Sequence, residues 1–203
     1  MLKLTILPAR NQKFILACSG GSDSMAAAHF LKEGGRSFTL AYFNHATEQA
    51  DEMEECVKAF GLSNNLPVSI GKIQNEKHKE QSLEEWWRIE RYRFFHSFKQ
   101  TIVTCHHLDD AVEGWVFSSL HGEGKVIPHQ WDWILRPFLL NTKEEMTNWC
   151  IQHSVKWVED RSNQDTHHPR NLIRKVILPE CKKINPGLNK VIRKKILQQI
   201  KSL

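Results

Sequence analysis

The chain has 203 residues, of which 40% are hydrophobic and 25% charged, a composition typical of a single globular domain. No apolar run approaches the roughly 18 residues of a membrane span, and the first residues lack the apolar stretch of a secretory signal. The five cysteines, at positions 18, 56, 105, 150 and 181, are never arranged as C-x-x-C. We therefore expect reduced thiols in a cytoplasmic protein, with neither a structural zinc site nor a cysteine-held iron–sulfur cluster.

The formal net charge is +5, and it is unevenly distributed. From residue 165 onward, ten lysines and arginines stand against two carboxylates, so this segment carries +8 and the rest of the chain −3. A basic tail on a mildly acidic core favours a polyanionic partner. A solvated amphipathic helix would give the same pattern, so charge alone leaves both interpretations open.

The stretch around which the chain is organised is residues 19–24, Ser-Gly-Gly-Ser-Asp-Ser. A short apolar strand is predicted before it, over residues 14–18, and good helix formers follow it over residues 25–31. Strand, glycine turn and helix together predict an anion site at the helix start. The spacing matches neither a Walker loop nor G-x-G-x-x-G, and an ordinary turn can also use glycine and serine.

Each residue of this loop has a place in the anion hypothesis. Gly20 and Gly21 can take positive φ and let the backbone approach a ligand. Three serines add hydroxyl donors: Ser19, Ser22 and Ser24. Asp23 would repel an anion unless Mg²⁺ lies between them. The sequence therefore predicts a pyrophosphate-like ligand together with a cation.

A second strand is predicted over residues 38–43, followed by Asn44 and His45. Ligands of open α/β sheets bind at this edge, so both side chains are candidates for contact with a nucleotide. The alternative is a turn asparagine and a surface histidine. A helix over residues 48–61 and a third strand over residues 66–73 follow.

The next helix, residues 83–99, is rich in aromatic residues and is predicted to be capped by Ser82 with Glu85 in a capping box. Arg88 and Arg91 lie among the aromatic side chains. A guanidinium held by packed rings is a rigid donor for phosphate or carboxylate, and we favour this role for Arg88. For Arg91 we favour an ion pair with a neighbouring glutamate.

A fourth strand over residues 101–105 leads directly into residues 106–113, His-His-Leu-Asp-Asp-Ala-Val-Glu. If a helix begins near residue 108, Asp110 and Glu113 share one of its faces, with His106 close by at the strand end. Two carboxylates and an imidazole can hold Mg²⁺ on phosphates and take a proton from an amine.

Two neighbouring residues have plainer predictions. Asp109 is expected to be the N-cap of that helix. Gly114 loosens the helix beside Glu113. With Asp109 assigned to the cap, Asp23 and Asp110 are the predicted metal ligands.

In the last third, residues 126–132 are predicted to be loop, and a capped helix is expected from Thr142, with Glu145, to residue 153. Trp131 and Trp133 could stack on a base, although packing against the core is favoured.

Beyond this helix, residues 157–163 (Trp-Val-Glu-Asp-Arg-Ser-Asn) suggest a hydrogen-bonded loop around Asp160, Ser162 and Asn163. Arg170 and Arg174, at i and i+4, suit a phosphate clamp.

Several of these motifs resemble a known family. Residues 19–24 are similar to the S-G-G-x-D-S loop of the PP-loop enzymes, which split ATP into AMP and pyrophosphate. Within that superfamily the chain looks most like the bacterial tRNA(Ile)-lysidine synthetases. The matching motifs are R-x-x-R-Y at 88–92, H-H-x-D-D-x-x-E-T at 106–114, R-P-L-L at 136–139, E-D-x-S-N at 159–163 and R-N-x-x-R at 170–174. Gly114 replaces the family's Thr, and His121 its Arg.

The resemblance implies an α/β PP-loop domain with a parallel sheet, helices on both faces and a helical C-terminal segment. It implies ATP and Mg²⁺ as cofactors, and L-lysine and a tRNA(Ile) with a CAU anticodon as partners. The ATP-binding residues would be Ser19 to Ser24, Asn44 and His45. The catalytic residues would be Asp23, Arg88, His106, Asp110 and Glu113. The tRNA-binding residues would be Arg170, Asn171, Arg174, Lys190, Arg193 and Lys194.

We expect one domain over residues 1–203, with a nucleotide-binding core at 1–125 and a basic, mostly helical segment at 126–203 that closes the pocket. Members of this family usually carry further domains that help bind tRNA. A minimal form without those domains would rely on the basic segment or on a homodimer. The alternatives are another AMP-forming PP-loop ligase and a non-catalytic tRNA-binding relic.

Overall fold

The computed structural model describes residues 2–77, 80–159 and 169–202. Within these ranges, a six-stranded sheet consists of β1 (Phe14–Ala17), β2 (Phe38–Asn44), β3 (Val68–Lys72), β4 (Ile102–Val103), β5 (Gln130–Trp131) and β6 (Ile134–Leu135). The strand order is β3-β2-β1-β4-β6-β5. The four predicted strands are confirmed, three of them shorter than expected, and β1, β2, β3, β4 and β6 pair in parallel.

Helices connect and cover the strands. They are α1 (Ser22–Glu33), α2 (Ala50–Ser63), α3 (Leu83–Ser97), α4 (Leu108–Leu120), α5 (Lys143–Gln152), α6 (Pro169–Leu172), α7 (Leu178–Ile184) and α8 (Leu188–Lys201). A π-helical segment, Ile173–Ile177, joins α6 to α7. The predicted cap by Ser82 is confirmed, because its hydroxyl accepts the Glu85 N–H, which is one half of the expected capping box. The capping box of Thr142 and Glu145 is confirmed with both of its bonds.

Helices lie on both faces of the sheet, as predicted. Alternate residues of β1 point to opposite sides. Phe14 and Leu16 belong to one core, which includes Met25 of α1 and Met146 of α5. Ile15 belongs to a second core with Phe95 of α3. The strand is therefore buried on both sides, as is usual for a parallel sheet between helices.

A third core joins the C-terminal helices to α4. An apolar stripe of α8, Leu188, Ile192 and Ile196, is buried in it, together with Val112 and Val116 of α4. The basic segment is thus docked on the helix that leaves the sheet after β4. No helix in the described ranges is long and apolar enough to cross a membrane.

The prediction of a loop over residues 126–132 is wrong at its end. Gln130–Trp131 forms β5, which pairs antiparallel with β6 at the edge of the sheet. The strand has only two residues, both exposed, so it offers no alternating pattern for sequence analysis to detect. The rings of Trp131 and Trp133 lie 6.5 and 6.1 Å from the ring of Tyr92. Both tryptophans therefore pack against α3.

Candidate functional site

Two loops meet at the carboxyl-terminal edge of the sheet. β1 and β4 are parallel neighbours, with Leu16 opposite Val103. The segments that follow them, residues 18–21 and 104–107, lead into α1 and α4. Because parallel strands end at the same edge, the two motifs that carry most of the predicted site residues leave the sheet side by side.

The glycines of the first loop have different conformations. Gly20 has φ = 82°, and a Cβ there would lie 2.9 Å from the carbonyl oxygen of Met53. A side chain is therefore excluded by both the backbone and the space. Gly21 corrects the prediction of positive φ, because its φ is −79° and it is the N-cap residue of α1. Within the described residues, α1 begins without a side-chain cap, which suits an anion at its N–H groups.

The serine hydroxyls of this loop have two roles. Ser24 is buried, and its Oγ accepts the Ser19 N–H (3.1 Å) and donates to the Gly21 carbonyl (3.0 Å). Its hydroxyl therefore shapes the loop. Ser22 Oγ instead accepts a hydrogen bond from Lys143 Nζ at 2.9 Å. A cation from α5 thus lies at the start of α1.

Asp23 lies between two basic groups. Lys143 Nζ donates to both of its carboxylate oxygens, at 2.9 and 2.8 Å. His107 Nε2 lies 3.7 Å from Oδ1. Burial alone would raise the pKa of Asp23, but the interactions with His107 and Lys143 lower it overall below the usual value.

His107 is a residue of the site that sequence reasoning missed. It corrects the predicted N-cap of α4: His107 Nδ1 accepts the Asp110 N–H (3.4 Å), while Asp110 Oδ2 accepts the His107 N–H (3.0 Å). Its buried ring lies 3.4–3.8 Å from carboxylate oxygens of Asp23, Asp109 and Asp110. Burial lowers the pKa of His107, but the three carboxylates raise it overall above its ordinary value.

Asp109 connects helices and does not cap its own. Its Oδ2 accepts the Lys143 N–H at the start of α5, at 2.8 Å. Its Oδ1 lies 3.8 Å from Lys182 Nζ of α7. A carboxylate at a helix N-terminus is favoured by the helix dipole. Asp109 therefore holds the first residue of α5 against α4.

The predicted metal ligands, Asp23 and Asp110, lie 3.7 and 3.4 Å from the same His107 Nε2. Mg²⁺ prefers oxygen donors and commonly takes one or two protein carboxylates, with waters and substrate phosphates as its other ligands. Within the described ranges, no three His, Cys, Asp or Glu side chains are arranged to hold a metal alone. Two carboxylates close to one point are a donor set that Mg²⁺ can share with a phosphate, and its binding by Asp23 and Asp110 stays a prediction.

Glu113 is 2% exposed, and both of its oxygens are paired. Oε1 accepts from Arg170 Nη1 (3.0 Å), and Oε2 accepts from Arg174 Nε (3.0 Å) and Nη2 (2.7 Å). A buried carboxylate requires such partners. In this arrangement Glu113 ties α4 to α6 and to the π-helical segment. Its role in proton transfer and the phosphate clamp of the two arginines stay predictions.

Asn44, the last residue of β2, and His45, which follows it, make different contacts. Asn44 Nδ2 donates to Asp51 Oδ1 (3.1 Å) and Glu54 Oε2 (2.8 Å), which ties β2 to α2. The His45 ring lies 5.4 Å from the ring of Trp87, and burial lowers its pKa to about 4. Contact of Asn44 and His45 with a nucleotide stays a prediction.

A group of arginines lies beside the second core. The Arg88 guanidinium lies 5.1 Å from the centre of the Tyr92 ring, as expected for an arginine held by aromatic residues. The ion pair predicted for Arg91 is not formed among the described residues, because Glu90 pairs with Arg93. Burial lowers the pKa of Arg91.

A third arginine, Arg136, is buried on β6's C-terminal side and was missed by sequence reasoning as a site residue. Burial, opposed by Asp110 and reinforced by Arg136, lowers the pKa of His106 to about 4. The Nδ1 of His106 lies 2.9 Å from Thr104 Oγ1. His106 is therefore uncharged at neutral pH. The pKa of its neighbour His107 is raised instead.

The remaining predicted residues lie in the C-terminal helices or outside the described ranges. Lys190 and Lys194 are exposed on α8 and Arg193 is half-buried, while Asn171 lies in α6. Asp160, Ser162 and Asn163 fall outside the described residues. Just before them, the Val158 N–H donates to the Gly20 carbonyl (3.0 Å), so this segment reaches the first loop.

The raised pKa of His107 predicts a pH-dependent stability. A group whose pKa is higher in the folded state stabilises fully below its unfolded value, about 6.5, and loses this contribution as pH rises through the folded pKa. Asn is a good N-cap, so His107→Asn removes the charge and keeps the cap. We expect the free energy of unfolding of the native protein, minus that of His107→Asn, to be largest below pH 6.5 and to fall above it.

The measurement is denaturant unfolding between pH 5.5 and 8.5. His121→Asn, at the exposed C-terminal end of the same helix, is the matched control. A difference between the native protein and His107→Asn that stays constant over this range would contradict the raised pKa.

The sequence relatives agree with the motifs. The tRNA(Ile)-lysidine synthase of Buchnera aphidicola subsp. Acyrthosiphon pisum is 31% identical over 200 residues, which cover 90% of this chain and 45% of that protein. The tRNA(Ile)-lysidine synthase of Petrotoga mobilis is 31% identical over 192 residues, covering 86% and 61% respectively. This chain thus spans about half the length of these relatives.

Solved structures share the fold at low identity. The NH3-dependent NAD synthetase from Campylobacter jejuni has a TM-score of 0.54 at 12% identity, covering 95% of this chain and 87% of that one. The NMN synthetase from Francisella tularensis has a TM-score of 0.56 at 13% identity, covering 95% and 83%. A family model described as "PP-loop domain" matches residues 2–181. With that match and the loop at 19–24, the chain belongs to the PP-loop domain family.

Proposed function

We propose that this chain carries the ATP-dependent chemistry of a tRNA(Ile)-lysidine synthetase. ATP adenylates O2 of the wobble cytidine in a CAU anticodon, which releases pyrophosphate, and the ε-amine of lysine then displaces AMP at C2. The observation that carries the proposal is the meeting of Asp23 and Asp110 at His107, because it joins the PP-loop to the second motif in one site. The names of the sequence relatives support the choice of reaction.

In this proposal the loop at 19–24 and the start of α1 hold the pyrophosphate portion of ATP. Asp23 and Asp110 would hold Mg²⁺, which would supply positive charge against the phosphates. The Asp23 carboxylate is only partly exposed and has a lowered pKa, so it is ionised at neutral pH. Asn44 and His45, at the end of β2, belong to the adenosine side of the site.

The second step needs a deprotonated lysine amine. His106, with its pKa lowered to about 4, is uncharged at neutral pH and can accept a hydrogen bond from the ammonium group of lysine, which orients that group. Glu113 assists once tRNA phosphates draw Arg170 and Arg174 away from it. Arg88 stabilises negative charge that develops on the phosphate.

The products of the reaction test the proposal. We expect the purified protein to convert ATP to AMP and pyrophosphate only when lysine and a CAU-anticodon tRNA(Ile) transcript are both present. AMP rather than ADP is expected because the loop lacks a Walker lysine and carries Asp23, which suits cleavage between the α- and β-phosphates. A transcript with guanosine at the wobble position is the control.

The measurement is thin-layer separation of products from α-labelled ATP. ADP as the product would overturn the assignment. AMP formed without tRNA would favour another AMP-forming PP-loop ligase, and tRNA binding without ATP cleavage would favour a non-catalytic relic.

The exposed basic side chains of α8 are proposed to bind the tRNA backbone. Each neutralised phosphate contributes about 0.7–0.9 to the slope of log affinity against log salt concentration. We expect a flatter slope and weaker tRNA binding after four changes to glutamine, at Lys190, Arg193, Lys194 and Lys195. The buried stripe of α8 is unchanged in this variant, so the fold is retained.

The measurement is tRNA affinity by filter binding across a salt series. The charge-matched control changes four lysines that pair with carboxylates in the first 125 residues: Lys32, Lys58, Lys72 and Lys125. Identical slopes for the α8 variant and the native protein would mean that another surface, or the second copy of a homodimer, binds the tRNA backbone.

A further inference from the structure

We infer that Lys143 is the phosphate-binding cation of the PP-loop, supplied from α5, and that it contacts the β- and γ-phosphates of ATP. The inference deepens the proposed function and rests on its use of ATP. It does not depend on which tRNA or base is modified. The residue is 120 positions away from the loop in sequence, so no local motif marks it.

The first observation is the position of the ammonium group. Lys143 Nζ lies 2.8–2.9 Å from three oxygens: Ser22 Oγ and both carboxylate oxygens of Asp23. Its side chain is 49% exposed, so a ligand can reach it from solvent. A Walker loop carries its own lysine to the terminal phosphates. This loop has none at the corresponding place, and Lys143 brings a cation to the same turn.

The second observation is that the backbone of Lys143 is held in place. It is the first residue of α5, and the capping box of Thr142 and Glu145 defines where that helix begins. The Lys143 N–H is also bound by Asp109 Oδ2 at 2.8 Å. Asp109 belongs to α4, which starts at the neighbouring loop. The lysine is therefore positioned by both halves of the site, unlike a surface lysine whose backbone has no partner outside its own helix.

The third observation is electrostatic. Helix N-termini carry partial positive charge, and cations there are unfavourable unless anions accompany them. Here the ammonium group lies at the start of α1 and is accompanied by Asp23. In the part of the chain that the structure describes, α1 begins without a side-chain cap, so its first N–H groups and the lysine are close together. This combination suits an anion such as the polyphosphate of ATP.

The chemistry follows without a covalent step. In the absence of nucleotide, Lys143 is paired with Asp23. When the polyphosphate binds, the ammonium group transfers its hydrogen bonds from Asp23 to phosphate oxygens. Both carboxylate oxygens of Asp23 then become available to Mg²⁺ on the same phosphates.

The test is calorimetric binding of inorganic pyrophosphate, and separately of ATP, in EDTA so that no metal contributes. We expect Lys143→Met to weaken the binding of both ligands by about tenfold to a hundredfold, the range for a hydrogen bond to a charged group. Lys143→Arg should retain most of the affinity, and adenosine should bind equally well to all variants. Lys32→Met, which removes an exposed ion pair at the far end of α1, is the matched control.

A second variant separates direct contact from neutralisation of Asp23. If Lys143 only cancels the charge of Asp23, the double variant Lys143→Met with Asp23→Asn should recover native pyrophosphate affinity. If Lys143 contacts phosphate, the double variant stays weak, while Asp23→Asn alone binds at least as well as the native protein. Recovery in the double variant, or unchanged affinity in Lys143→Met, would overturn the inference.

These outcomes are distinct from those of the proposed function. A native protein that binds pyrophosphate through Lys143 but leaves tRNA unmodified would contradict lysidine synthesis and leave the inference standing. If the native protein modifies tRNA, and Lys143→Met is fully active and binds pyrophosphate fully, lysidine synthesis stands and the inference about Lys143 is contradicted. A native protein that binds no pyrophosphate would overturn the inference.

Discussion

The crowding of three carboxylates around one buried imidazole is the interaction on which the site depends. His107 caps α4, lies between the two loops at the sheet edge, and touches Asp23, Asp109 and Asp110. Three carboxylates this close repel one another, and they favour the protonated form of the ring, which raises the pKa of His107. The ring therefore permits an acidic cluster beside a loop whose helix N-terminus attracts anions, and a cation-dependent phosphate site becomes possible.

The distribution of charge along the chain has a structural explanation. Arg170, Arg174, Lys182 and Lys143 all come from the last third, and each pairs with a carboxylate of the first two-thirds. Part of the basic tail thus neutralises the acidic site inside the same molecule. The side chains exposed on α8 take no part in these four pairs, and their contact with a polyanionic partner stays a prediction.

The sheet and the two loops could be predicted because they depend on local patterns: apolar runs, glycines and parallel strands that end at one edge. His107 could have been found from the same pattern, since it directly precedes the first helical residue. Lys143 could not, because its role arises from a contact between segments 120 positions apart. Arg170 and Arg174 were recognised as a pair, but the buried Glu113 between them was not foreseen, since burial of a carboxylate depends on tertiary packing.

We propose that the PP-loop and the His107 cluster form one polyphosphate site. NMR titration of the His107 imidazole, assigned by comparison with His107→Asn, tests this directly. An anion bound within this cluster stabilises the imidazolium form. We expect saturating inorganic pyrophosphate, without metal, to raise the pKa of His107 further above its value in the free protein. If pyrophosphate binds and leaves the titration curve of His107 unchanged, the two loops do not form one site.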